Sequence, residues 1–267
     1  MSDRRRGIQS VEIGGGVLKK LMDAGEPLML RQIAELSGMT AAKVYPYLVS
    51  LARLGFVEQN AETGRYDLGP LGIEMGLASL RRLDHLTIAS RAVNDLSQTT
   101  GFSVAISVWG DFGPTVVQLS EGLYNLHTNM RVGSVMSVPD TATGKVWAAF
   151  LAPSKLRRFL DSEHFSKRWS SLQLERMEGP GWEQTLTAIR ERGMERAIGH
   201  PVPGANAFSA PVFDYIGNIV LTCTIMGNTG QFDLDWDGPV PLALRDCVTS
   251  ISQRLGHKSR LVKAARR

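Results

Sequence analysis

The chain has 267 residues, of which 43% are apolar and 21% charged, with a formal net charge of +4. Such a composition excludes dominant disorder and suggests about two domains. No apolar run reaches the roughly 18 residues of a membrane-spanning helix, and two cysteines form neither a disulfide framework nor a zinc set, so a cytoplasmic address is expected, with no metal or cofactor.

Positive charge gathers at the two ends. Arg4, Arg5 and Arg6 form a short arm (1–7), and six Lys/Arg without an acid lie from Arg254 onward, running into a basic tail (257–267). These ends are either solvated tails or phosphate-binding arms, because clustered cations release counterions from nucleic acid.

In chain order, residues 8–70 alternate short helical patterns with turn signals and end in a small hairpin. Leu30, Ile33 and Ala34 share one face of a short helix that stops at Gly38. Thr40 caps a second helix from about Ala41 to Leu54, with Val44, Leu48 and Leu51 on its buried face and Gly55 ending it. Two helices around a glycine turn are a helix-turn-helix. Phe56–Gln59, a polar turn at 60–64 and Arg65–Leu68 then read as a hairpin, which makes a wing. The second helix is expected to meet base edges with Ala41, Ala42, Lys43, Tyr45 and Tyr47, with Thr40 at its start and Arg65 reaching a phosphate or the minor groove. Partial burial against the first helix is the competing reading for the two tyrosines. Pro46 inside that helix removes one backbone bond and predicts either a kink or a later helix start. Gly14-Gly15-Gly16 in the first helix predicts either a close dimer contact or a poorly formed start.

Leu71, Met75, Leu77, Leu80, Leu83 and Leu86 extend a helical pattern over 71–98, read as a linker helix region. Residues 99–256 mix strands and helices. Val104, Ile106 and Val108 alternate with Ser103, Ser107 and Trp109, and Thr115–Leu119 returns after a turn at 110–113, which predicts a half-buried hairpin. On the strand 218–226, Thr222, Thr224 and Met226 share one face; the alternation fits a solvent-facing row or a small polar ligand.

Gly7-Ile8-Gln9-Ser10-Val11-Glu12, Leu30-Arg31-Gln32-Ile33-Ala34, Val49–Glu58 and Glu62–Gly69 together resemble the IclR family of bacterial transcriptional regulators. So do Arg131-Val132-Gly133-Ser134, Ala142-Thr143-Gly144-Lys145 and Ser209–Gly217, so that the resemblance runs over about 7–256. It implies an α/β (α+β) protein with an N-terminal winged helix-turn-helix, a linker helix and a C-terminal GAF-like effector-binding domain. It also implies double-stranded operator DNA, a small carboxylate effector and self-association into dimers or tetramers. Carried over by motif, Thr141, Thr143 and Gly144 would form one effector wall at a helix start, where backbone N–H groups favour an anion. Ala207, Ser209, Thr222, Thr224 and Met226 would form others, and His200 would pair with an anionic ligand or sit at the surface. Tyr45-Pro46 stands where the family usually carries arginine or another polar residue.

Enzymatic constellations are absent: no G-x-S-x-G elbow, H-E-x-x-H or phosphate-binding P-loop occurs, and the Asp233–Gly238 run lacks the glutamate that completes a calcium loop. An enzyme is therefore not expected, and the resemblance implies a ligand-responsive DNA-binding transcriptional regulator, controlling a catabolic operon for a small carboxylate, aromatic ones included. The alternative is a protein-interaction module that has lost sequence-specific DNA binding, motivated by Pro46 and the missing arginine.

Overall fold

The computed structural model describes residues 7–82, 84–124, 126, 128–162, 165 and 170–258, and the chain divides into two units between residues 83 and 84. The arginines of the N-terminal arm and tail residues 259–267 lie outside the described residues.

The first unit comprises α1 (Gln9–Ala24), α2 (Leu30–Leu36), α3 (Ala41–Arg53), the hairpin β1 (Val57–Gln59) and β2 (Tyr66–Leu68), and α4 (Pro70–Arg81). Its core is built from the apolar face of each helix, with Val17, Ile33, Val44 and Leu48 fully buried. Gly38 (φ 64°) and Gly55 (φ 81°) end α2 and α3 in the left-handed region that favours glycine. The wing turn is held by Asn60, whose Oδ1 accepts from the N–H groups of Glu62 and Thr63 at 3.0 and 2.9 Å. Leu28 adds a backbone bridge to Tyr66, so β2 is paired on both edges.

One alternative of each of two pairs drops out in this unit: the poorly formed start of α1 and the later start of α3. α1 runs unbroken through Gly14-Gly15-Gly16, so these glycines do not spoil the helix. α3 starts at Ala41 and passes through Pro46 to Arg53. Pro46 lies on the exposed side, and so does Ala42, whose carbonyl loses the missing bond. Water can satisfy that carbonyl, which is why the proline is tolerated here.

The stretch 71–98 is two helices rather than one. α4 ends at Arg81, and α5 (His85–Thr100) begins afresh in the second unit. Asp84 caps α5: one carboxylate oxygen accepts from the Leu86 and Thr87 N–H groups, and the other takes the Thr87 hydroxyl at 2.6 Å. Those bonds, led by the Thr87 hydroxyl, hold the Asp84 carboxyl below its usual value.

The second unit continues with β3 (Ser103–Gly110), β4 (Gly113–Ser120), α6 (Ala142–Phe150), α7 (Pro153–Leu160), α8 (Ser171–Glu178), α9 (Pro180–Arg192), β5 (Glu195–Ile198), β6 (Ala205–Phe213), β7 (Ile219–Asn228) and α10 (Pro239–Arg254). The five strands form an antiparallel sheet in the order β4-β3-β7-β6-β5. Residues 133–136 extend it beyond β4 through backbone bonds to Val116 and Pro114.

Helices cover both faces: α5 and α10 pack on one, α6 on the other. The alternation read along β3 and β7 is therefore correct, but its polar face is not solvated. Ser107, Thr222 and Thr224 are all buried. Their hydroxyls are satisfied within the core: Ser107 Oγ lies 2.6 Å from Thr222 Oγ1 and accepts the Trp147 indole N–H at 3.0 Å. A buried hydroxyl without a partner is costly, so this pairing is what lets a polar row lie under a helix.

Candidate DNA interface and effector cavity

The first unit presents the start of α3 to solvent. Thr40, Ala41, Ala42, Lys43 and Tyr45 are exposed there, and the Thr40 side chain makes no cap hydrogen bond. Tyr47 departs from this group. It is half-buried against the helical core, with its ring 3.5 Å from where a side chain on Gly14 would begin. Packing on α1 therefore accounts for the partial burial of Tyr47. Arg65 stands exposed at the wing, where its Nη1 donates to the Pro27 carbonyl at 2.9 Å. An exposed helix start carrying a lysine, beside a wing carrying an arginine, matches the size and charge of a duplex major groove and its flanking phosphates.

In the second unit, a cavity of about 60 Å³ opens at the start of α6. Thr141, Thr143, His200, Ala207, Thr224 and Met226 line it, as does Ala142. Its remaining walls are mostly apolar, with Leu126, Met130 and Met136 from the segment after β4 and Pro201 and Val202 from the β5–β6 connection. Wider clefts of about 250 and 560 Å³ adjoin it along Thr128 and Met130. The sequence reading did not include these methionines, because an irregular segment carries no periodicity to read.

The polar groups have distinct parts. Thr141 caps α6: its hydroxyl donates to the Ser137 carbonyl at 2.7 Å and accepts from the Gly144 N–H at 2.9 Å. Its one proton is thus committed and cannot go to a ligand. The N–H groups of Ala142 and Thr143, the first two residues of the helix, have no intrahelical acceptor. Thr143 Oγ1 lies 2.8 Å from Thr224 Oγ1, which donates to Ser209 Oγ at 2.9 Å. Ser209 and Thr222 thus stand behind the cavity wall rather than in it. Gly144 also stands outside the lining. A side chain there would meet the Ser137 carbonyl at 2.1 Å, so its part is close backbone approach. His200 lines the cavity from its exposed rim.

One cluster escaped the sequence reading. Asp140 takes Ser137 Oγ at 2.6 Å and Gln173 Nε2 at 2.5 Å on one oxygen, and Arg176 Nη1 at 2.5 Å on the other. Burial would raise its carboxyl, but the Ser137 and Gln173 hydrogen bonds and the Arg176 and His200 charges outweigh it and hold it below the usual 3.8. A carboxyl depressed on folding contributes stability above pH ~4, which is lost as pH falls through its folded value. Asp140→Asn should therefore be less stable than the unmodified protein at pH 7, with the difference shrinking below pH ~4 in acid-unfolding curves.

Comparison with known proteins agrees with this two-part layout. Residues 10–61 match the IclR helix-turn-helix domain and residues 77–253 match the bacterial transcriptional regulator IclR C-terminal domain. The chain is 23% identical over 242 residues to the HTH-type transcriptional regulator KdgR of Escherichia coli, covering 91% of this chain and 90% of that protein. It is 26% identical over 260 residues to the glycerol operon regulatory protein of Streptomyces coelicolor, covering 94% and 98%. The crystal structure of Pseudomonas aeruginosa HmgR superposes with a TM-score of 0.84 at 32% identity, covering 94% of this chain and all of that one. The chain belongs to the IclR family of transcriptional regulators.

Proposed function

We propose that this regulator answers to a small carboxylate, with an aromatic or other compact apolar body, and controls a catabolic operon from the cytoplasm. The supporting observation is the chemistry of the cavity. The start of α6, where the Ala142 and Thr143 N–H groups have no intrahelical acceptor, and His200 border a mostly apolar space, with no acidic side chain among its described lining residues. A carboxylate would sit at the helix start, and the methionine-lined wall would take the apolar body. Calorimetric titration with benzoate and short aliphatic acids, beside the corresponding amides, tests this: acids should bind more tightly than their amides, and equal affinities would count against it.

On the DNA side, Thr40, Ala41, Ala42, Lys43 and Tyr45 would contact the major groove, and Arg65 and the arm arginines Arg4, Arg5 and Arg6 the phosphates or minor groove. In a dimer, two copies of α3 would read half-sites about 34 Å apart or a multiple of that. The effector would favour one arrangement of the assembly over another and so change operator affinity. Within its own unit, α4 leaves Ile73, Met75 and Leu77 exposed, which a second copy of the chain would cover. The continuity of α3 through Pro46 weakens one of the two motives for a module without DNA binding; the other, the missing arginine, stands. Lys43→Ala should weaken operator binding and lower the slope of log affinity against log salt by about 1, as measured by fluorescence anisotropy at several salt concentrations.

A further inference from the structure

Asp140 stands one residue before the cap of α6, and its partners come from an element more than 30 residues away. Gln173 is the third residue of α8, where its Oε1 accepts from the Ser170 N–H at 3.0 Å. That bond fixes the amide so that Nε2 faces away from the helix start, toward Asp140 at 2.5 Å and Ser137 Oγ at 3.2 Å. Arg176, one turn on, reaches the second oxygen of Asp140 from the same face of α8. α8 is itself seated by Met177, buried in the core that contains Trp147 of α6. The segment 137–141 is therefore held at two places. At one end it lies against Gly144, which has no side chain to push it away, and Thr141 bonds back to Ser137. At the other, Asp140 is held by α8.

We infer that Asp140 is a positioning residue of the effector cavity, one that ties the amide end of α6 to helix α8 through Gln173 and Arg176. The inference rests on the reading of the cavity as an anion site. With the carboxylate in place, the start of α6, where the Ala142 and Thr143 amides have no intrahelical acceptor, is tied to α8. Without it, α8 keeps only the 3.2 Å bond from Gln173 Nε2 to Ser137 Oγ on the 137–141 segment, and the amides are held less firmly. The negative charge of Asp140, close to where an anion would bind, is matched by Arg176, so the tether does not repel the ligand it helps to place. Arg176 touches no ligand; its effect passes through Asp140.

The test uses full-length Asp140→Asn and Arg176→Ala, with Arg176→Lys as the conservative variant. Hydrogen–deuterium exchange is followed by peptide, and affinity is measured for benzoate and for its neutral counterpart benzamide. Exchange in the peptides covering 137–150 should quicken in Asp140→Asn and Arg176→Ala, while those from β7 stay unchanged. Benzoate affinity should fall about tenfold, the size of one lost charge-assisted hydrogen bond, with benzamide affinity unaltered. Arg176→Lys should behave nearly as the unmodified protein. Exchange over 137–150 that is unchanged in both variants would overturn the inference, and so would equal losses for benzoate and benzamide. Failure of the unmodified protein to bind benzoate would count against the anion reading alone, since the exchange rates decide the tether without a ligand.

Discussion

Gly144→Ala should lower the stability of the C-terminal unit by about 3 kcal/mol and abolish small-acid binding. The added methyl would stand 2.1 Å from the Ser137 carbonyl and 2.5 Å from the Val138 Cα, both backbone atoms that cannot swing aside as a side chain can. Relief requires the 137–141 segment to lift from α6, which breaks the Thr141 cap and reorients the Ala142 and Thr143 amides. Overpacking of this kind costs about 1–3 kcal/mol, and the loss of the cap adds about 1 more. For a unit of this size the melting transition should fall by roughly 6–12 °C. Thermal unfolding followed by circular dichroism, with benzoate titration beside it, checks both effects. A melting point within a degree of the unmodified protein would show that the segment yields more easily than its contacts suggest.

Leu48→Ala should unfold the DNA-binding unit selectively. Leu48 is fully buried on α3, in the same core as Val17 of α1, Ile33 of α2 and Val57 of β1. Truncating a buried leucine costs about 2–5 kcal/mol, through lost transfer energy and the cavity left behind. A unit of this size has only about 4–11 kcal/mol in total. Operator binding should therefore be lost near 37 °C and regained on cooling, while the unfolding transition of the C-terminal unit stays where it is. Calorimetry resolves the two transitions. A joint shift of both would mean that the units do not melt independently.

The legible and illegible parts of this protein divide along physical lines. α2, α3 and the wing follow from spacing and turn chemistry, because Leu30/Ile33/Ala34, Val44/Leu48 and the glycines at 38 and 55 act locally. The 71–98 stretch was misread as one helix because Leu83 and Leu86 continue an apolar spacing across the break. The signal that marks the break was nonetheless present in Asp84 followed by Thr87, a carboxylate able to cap the next helix. The threonines of β7 show a different limit. A period of two assigns Thr222, Thr224 and Met226 to one face, but it says nothing of what covers that face. Here α6 covers it and converts a row that would suit water into a bonded hydroxyl network.

The cavity wall was legible only in part, for a related reason. Thr141, Thr143 and Thr224 do line the cavity, whereas Gly144, Ser209 and Thr222 support it from behind. Asp140, Gln173 and Arg176 meet across some 33 to 36 residues of chain, and no local pattern links them. Of the two readings of Pro46, a kink or a later helix start, the start of α3 at Ala41 excludes the second. Its missing hydrogen bond is real, but the carbonyl left over faces solvent, so the helix continues.

On the proposed function, a small acid held in the C-terminal cavity would change how α3 and the wing bind DNA. The most direct measurement is a fluorescence-anisotropy titration of the full-length protein on the DNA upstream of its own gene, at constant salt, with and without benzoate and short aliphatic acids. The account predicts specific binding whose affinity shifts at least about fivefold with one acid, the lower end of ordinary coupling energies, and a shift that Gly144→Ala removes. Binding that no acid alters, or an acid effect that survives Gly144→Ala unchanged, would contradict it.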